Sequence, residues 1–220
     1  MSSPNSNKAN SAGGAARKET LAALLLVSSA GIAALYDATL GLRVVATEEG
    51  RRLQLREHPI ALPPTLLSMP KPTALLENLR QDCRVAIVTF MYSRCNAVCS
   101  ALGSQYQQMQ SQIIAHGLQH KVRLLSVSFD PRDSAPVLLA YARQQHAQSA
   151  VWQFASVADA TQRQRLLSSM GIVVVPAPLG EFVHNAAFHI VDPGGRLGRI
   201  VDLDEPDAAL RYALATAHAW

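Results

Sequence analysis

The stretch RVAIVTFMYSRCNAVC, residues 84–99, decides how this chain reads. Residues 84–91 are a nearly continuous apolar run rich in β-branched side chains. That pattern marks a strand covered on both faces rather than one alternating between core and water. A short turn follows, and a helix is expected from near Ala97 to about His116. Its apolar side is Leu102, Tyr106, Met109 and Ile113, at helical spacing. Cys95 and Cys99 extend that stripe backward in the same phase. Two side chains at i and i+4 share a helix face, with Cβ atoms about 5–6 Å apart, so the pair can close into a disulfide or clasp one metal ion. The helix N-terminus favours thiolate over thiol. Thiolates are soft donors that suit Cu(I), and zinc also accepts them. The bland reading is two buried cysteines acting as small apolar residues.

Working outward, VRLLSVSF at 122–129 reads as a second strand. Asp130-Pro131-Arg132-Asp133-Ser134-Ala135-Pro136 ends it and opens a helix, with Asp133 or Ser134 as the cap and Pro136 in the first turn. A short strand near 151–154 and a helix near 158–170 follow, stopped by Gly171. Ile172 to Val175 reads as another strand. A hairpin turning at Pro193-Gly194-Gly195 and a helix from Glu205 to His218 close the chain. Strands alternating with helices, then a terminal hairpin and helix, give an α/β chain with a mixed central sheet flanked by helices. A thioredoxin-like fold has that order.

The N-terminal part is different in kind. The first 18 residues hold Lys8, Arg17 and Lys18 and no acid, while the remaining 202 carry 17 basic and 16 acidic side chains. The basic excess therefore sits on a tail and not on the folded domain, which argues against nucleic acid as a partner. Residues 20–36, TLAALLLVSSAGIAALY, are uncharged and nearly long enough to span a hydrocarbon core as a transmembrane helix. With basic residues before this run and acidic ones after it, the domain is expected outside the membrane, on the periplasmic or an equivalent side. A cleaved signal peptide and a buried helix are the rival readings. The expected organisation is a basic disordered tail (1–18), a single-pass anchor (19–38), a proline-rich connector or edge hairpin (39–72) and the main domain (73–220).

The chain has three cysteines, too few for a disulfide scaffold. Cys83 precedes the first strand and lies at the opposite end of it from the pair, so it reads as a structural free thiol. Two thiolates leave copper under-coordinated, and a histidine is the natural third donor. His184 and His189 flank the start of the hairpin; five apart on a strand they face opposite ways, and spacing does not choose between them. Asp130 stands at the carboxyl end of the second strand, the edge where sites gather in open α/β sheets. It reads either as a partner of residues near the cysteine pair or as a plain turn residue.

Three segments, in order, resemble the Sco/SenC family of copper-binding proteins. Phe90 to Cys99 is similar to that family's F-x-[FY]-[ST]-x-C-P-x-x-C segment. Ser126-Val127-Ser128-Phe129-Asp130-Pro131-Arg132-Asp133-Ser134 resembles S-V-D-P-x-x-D-T with one extra residue. Phe182-Val183-His184-Asn185, then Ile190 to Arg196, resembles F-x-H-[ST] followed by the hairpin strand and its D-P-x-G-R turn. The resemblance spans about residues 84–215. It implies a thioredoxin fold and a copper ion held by Cys95, Cys99 and His184; the i,i+4 spacing of Cys95 and Cys99 itself leads to the expectation of a disulfide between them when oxidised and metal-free. The resemblance puts His189 on an apolar or aromatic strand position. It implies delivery of copper to the copper-bearing subunit of cytochrome c oxidase, with thiol–disulfide exchange by the cysteine pair as the alternative activity. Asn96 and Ser100 stand where the family usually has prolines.

Overall fold

The computed structural model describes residues 24–25, 27–32, 50–52, 54–68, 71–95 and 98–220, the side chains of 98–100 excepted. The chain divides into two compact units, Met1–Arg51 and Arg52–Trp220. In the first, residues 24–25 and 27–32 are helical, and Leu24, Leu25, Val27 and Ile32 are exposed. Among the described residues no helix is long and apolar enough to cross a membrane; the remainder of the expected span 19–38 lies outside them.

The second unit is built on an eight-stranded mixed sheet. Its strands are β1 (Ile60–Ala61), β2 (Leu66–Ser68), β3 (Pro72–Ala74), β4 (Val85–Met91), β5 (Val122–Ser128), β6 (Trp152–Ser156), β9 (Ala187–Val191) and β10 (Arg196–Asp202). They lie in the order β1-β10-β9-β4-β5-β6-β2-β3. β7 (Val174–Pro176) and β8 (Phe182–His184) form a separate two-stranded ribbon. The expected strand over residues 172–175 thus pairs with β8 and not with the main sheet. The helices are α1 (Leu75–Asp82), α2 (Val98–Ala115), α3 (Ala135–Gln144), α4 (Ala160–Met170) and α5 (Pro206–His218).

β4 and β5 run parallel in register from Val85↔Val122 to Met91↔Ser128, and all seven residues of each are buried. Helices on both faces account for this. On one face Tyr106 of α2 stacks on Phe188 and meets Trp152 edge to face, and its hydroxyl donates to the Ile87 carbonyl at 2.7 Å. On the other face α1 and α4 close over the sheet. The apolar stripe of α2 is as read: Leu102, Tyr106, Met109 and Ile113 are all buried. The connector contributes to this core as well, through Leu55, Leu62 and Leu67. The β9–β10 turn needs its last glycine: Gly195 has φ +79°, and a Cβ there would press on Leu76.

Two polar side chains are buried inside this sheet. Arg123 on β5 is fully buried beneath α1, donating to Asn78 at 2.7 Å, to Gln153 at 3.2 Å and to Asp82 at 3.3 Å. Asp82 also accepts from Arg84 at 2.8 Å. Burial pushes the Asp82 carboxyl up, but the Arg84 hydrogen bond and the charges of Arg123 and Arg84 outweigh it and hold it below the usual carboxylate range. His189 on β9 is fully buried at the position the resemblance makes apolar or aromatic. Its Nε2 lies 2.9 Å from the carbonyl of Met170, at the end of α4, and its Nδ1 lies 3.2 Å from that of Val88. The imidazole thus satisfies a helix-terminal carbonyl that would otherwise be buried without a donor.

Two outcomes follow from these burials. Asp82→Asn leaves two guanidinium groups sharing no carboxylate and should cost about 3 kcal/mol of stability at pH 7. Because the folded carboxyl is held low, that contribution is present above the unfolded value near 3.8 and is lost as pH falls through the folded one. Urea unfolding of parent and variant should therefore differ at pH 7 and draw together as pH falls below the unfolded carboxylate value. His189→Phe orphans the Met170 carbonyl and should destabilise by about 1–3 kcal/mol in the same assay.

Candidate functional site

β4 and β5 end at the same edge, so the loops that leave them meet there. The loop after β4 runs Tyr92-Ser93-Arg94-Cys95 and turns tightly, with the Cys95 N–H donating to the Tyr92 carbonyl at 3.3 Å. The loop after β5 supplies Asp133, which is buried and pins that turn. Its carboxylate accepts from the Ser93 N–H at 2.8 Å, the Ser93 hydroxyl at 2.5 Å and the Ser128 hydroxyl at 2.6 Å. Cys95 is half-buried against the core. Cys99 falls in the first turn of α2. Its side chain, and so the expected Cys95–Cys99 disulfide, lies outside the described residues.

Asp130 is buried as well and binds both arginines of these loops. Its carboxylate takes the Arg132 backbone N–H at 2.9 Å and the Arg132 guanidinium at 2.7 Å, and it reaches Arg94, next to Cys95, at 3.1 Å. Asp130 thus closes its own turn and holds Arg94, the residue before Cys95. Burial and the nearby Asp133 push its carboxyl up against the pull of Arg94.

The ribbon β7–β8 brings the third arm. Its pairs are Val174↔His184, Val175↔Val183 and Pro176↔Phe182. Alternation along the strand turns Phe182 and His184 inward and leaves Val183 exposed. The His184 ring lies edge-on to Phe129 at 4.9 Å and to Tyr92 at 6.2 Å between centroids. Its Nδ1 faces the Asn185 carbonyl at 2.9 Å. A carbonyl only accepts, so Nδ1 is the donor of this contact, and in the tautomer that carries that proton Nε2 is the nitrogen with the lone pair. His189 is fully buried on β9.

Sequence reading did not single out Tyr92, Glu181 or Arg132. The Tyr92 hydroxyl donates to the Glu181 carboxylate at 2.6 Å. Burial first, and then that bond, push the phenol far up, so it stays a donor across the physiological range. Arg132 donates to the Gly180 carbonyl at 2.6 Å and stacks over Phe182 at 5.6 Å. A Tyr in a family segment that allows Phe or Tyr, and an acid just before an F-x-H segment, were the only traces of this in the sequence.

Cys83, by contrast, sits at the far end of β4. It caps α1 in the left-handed region, with its thiol donating to the Arg80 carbonyl at 3.0 Å. Among the described residues no three His, Cys, Asp or Glu side chains gather as a metal set. The Cys95 turn and the His184 ring both lie against Tyr92, and thiolates and imidazoles are donor types that copper accepts.

Several solved structures share this fold. BsSco, described as a member of the Sco family of cytochrome c oxidase assembly proteins with a disulfide switch, is 20% identical, with a TM-score of 0.61 over 73% of this chain and 95% of its own. Bradyrhizobium japonicum ScoI with copper bound is 18% identical, with a TM-score of 0.55 over 71% of this chain and 99% of its own. Yeast Sco1 with copper bound is 16% identical, with a TM-score of 0.58 over 74% of this chain and 91% of its own. Comparison with curated protein sequences returns no match. The SCO1/SenC family model matches residues 74–218, from α1 through α5, with the Cys95 turn, the Asp130 loop and the His184 ribbon all inside it, and the chain belongs to that family.

Proposed function

We propose that this chain is a copper metallochaperone. Its cargo is one copper ion, held by the thiolates of Cys95 and Cys99 and by Nε2 of His184. The observation that carries the reading is the meeting of the Cys95 turn and the His184 ribbon on Tyr92. Two further facts support it. The family is one whose members include copper-bound proteins, and a three-donor set of two thiolates and one imidazole suits copper in either oxidation state. Three donors also leave room for a client's ligand to enter before the ion departs. The client in this reading is the copper-bearing subunit of cytochrome c oxidase. Asp130 acts at one remove, by holding Arg94 beside Cys95.

The same reading includes tethering. Residues 19–38 anchor the chain, and the domain lies outside the membrane; the flanking charges and the exposed leucines of residues 24–25 support this. A fusion of a reporter that works only outside the cytoplasm to the C-terminus should be active. Activity of a cytoplasm-only reporter there would overturn the topology.

A second reading, a thiol–disulfide oxidoreductase cycling Cys95–Cys99, draws support from the disulfide switch attributed to BsSco. A competition titration with a Cu(I) chelator separates the two. Cys95→Ser should abolish tight binding, and His184→Ala should weaken it about tenfold or more. His189→Phe, in whatever fraction stays folded, should bind like the parent. If all three match the parent, copper is held elsewhere. If copper uptake is negligible and the Cys95–Cys99 potential is unmoved by His184→Ala, the oxidoreductase reading replaces it.

A further inference from the structure

The ribbon carrying His184 is not hydrogen-bonded into the main sheet; β7 and β8 pair only with each other among the described strands. Its outer face is open, with Val175 and Val183 exposed on a directly paired rung, and its tip, Leu179, is 99% exposed with φ +61°. What holds such a ribbon against the domain decides where His184 sits. Ring contacts alone, edge to face between Phe182, Tyr92 and Phe129, are weakly directional and permit sliding. Hydrogen bonds at fixed points do not.

Tyr92 supplies those points. Its hydroxyl donates to the Glu181 carboxylate at 2.6 Å, and the same oxygen accepts the Phe182 N–H at 3.3 Å. Its ring lies edge-on to His184, and its carbonyl receives the Cys95 N–H. One residue therefore grips the ribbon with its side chain and the cysteine turn with its backbone. Arg132 ties the ribbon a second time, at the Gly180 carbonyl, but from the neighbouring loop and without touching the cysteine turn's backbone.

We propose that Tyr92 and Glu181 form a latch that sets His184 against the Cys95 turn, making Tyr92 a positioning residue for the histidine of the copper site. The proposal rests on the copper reading for its purpose and on the hairpin geometry for its existence, and the two can be tested apart. Tyr92→Phe keeps the ring and its packing and removes only the hydroxyl. Glu181→Ala removes the acceptor, and Glu181→Gln restores an oxygen that can accept.

In the metal-free full chain, amide hydrogen exchange followed by mass spectrometry should speed up about tenfold in peptides covering 174–184 for Tyr92→Phe and Glu181→Ala, the cost of one charge-assisted hydrogen bond. Peptides from β4 and α2 should exchange as in the parent, and Glu181→Gln should stay close to the parent throughout. By Cu(I) competition, Tyr92→Phe should weaken binding by about 3- to 10-fold, at or below the range for residues that orient metal ligands. In a His184→Ala background the same substitution should have no further effect. Unchanged exchange in 174–184 overturns the latch, whether or not the parent takes up copper. An equal copper loss in the His184→Ala background shows that Tyr92 acts on the cysteines and overturns the positioning role. A parent that takes up no copper overturns the copper reading, and the exchange result then decides the latch alone.

Discussion

Asp133 is the contact on which the candidate site depends. β4 and β5 are buried on both faces, so the loops that leave them are fixed at the strand ends, where Ser128 closes β5. The chain meets this constraint by folding a carboxylate from the loop after β5 back under the loop after β4. There it takes three hydrogen bonds, two from Ser93 and one from Ser128. A buried carboxylate is stable only when its lone pairs are filled, and filling them forces the Ser93 turn into one shape. Cys95 emerges two residues later. Its position is thus set by an acid 38 residues away in sequence and adjacent in space.

From that anchor the site is assembled by successive polar ties, each between segments far apart in the chain. Asp133 fixes the cysteine turn. Asp130 gathers Arg94 and Arg132, and Arg132 reaches on to Gly180. Tyr92 bridges the turn and the ribbon through Glu181. The aromatic rings of Tyr92, Phe129 and Phe182 pack against one another between these ties. This low-dielectric packing strengthens each polar contact it surrounds. The opposite end of the sheet carries a different device: the Arg123–Asp82–Arg84 cluster and the cap at Cys83 close it. The Cys95, Asp130 and His184 arms gather at one edge and the structural charges at the other, as expected of a parallel α/β sheet.

The two histidines show how far a local pattern reaches. Both fall near the start of the terminal hairpin, and strand periodicity says only that they face opposite ways. His184 turns out to lie on a short ribbon whose partner, β7, was legible as a strand but not as one outside the sheet. His189 lies on β9, with Nε2 at the carbonyl of Met170 and Nδ1 near that of Val88, and a neutral ring donates to one of the two. A buried imidazole in a strand looks in sequence like a misplaced polar residue. Only the end of α4 arriving above it explains why it is there.

The sequence alone determined the elements and their order, because hydrophobic period, caps and turn residues act over a few neighbouring positions. The buried run at 84–91, the stripe of α2 from Leu102 to Ile113, the Asp130-Pro131 break and the Pro193-Gly194-Gly195 turn were all readable in this way. So were the three family segments, each a short string. Tertiary structure alone decided which of these strings meet. The separation of β7–β8 from the sheet, the burial of Arg123 under α1, the reach of Asp133 to Ser93 and the bond from Tyr92 to Glu181 all join residues at least 30 positions apart or depend on such joins. No periodicity encodes them, because a hydrogen bond or ring contact between distant segments depends on how whole elements pack, and that is settled by the burial of the entire core rather than by any one stretch of chain.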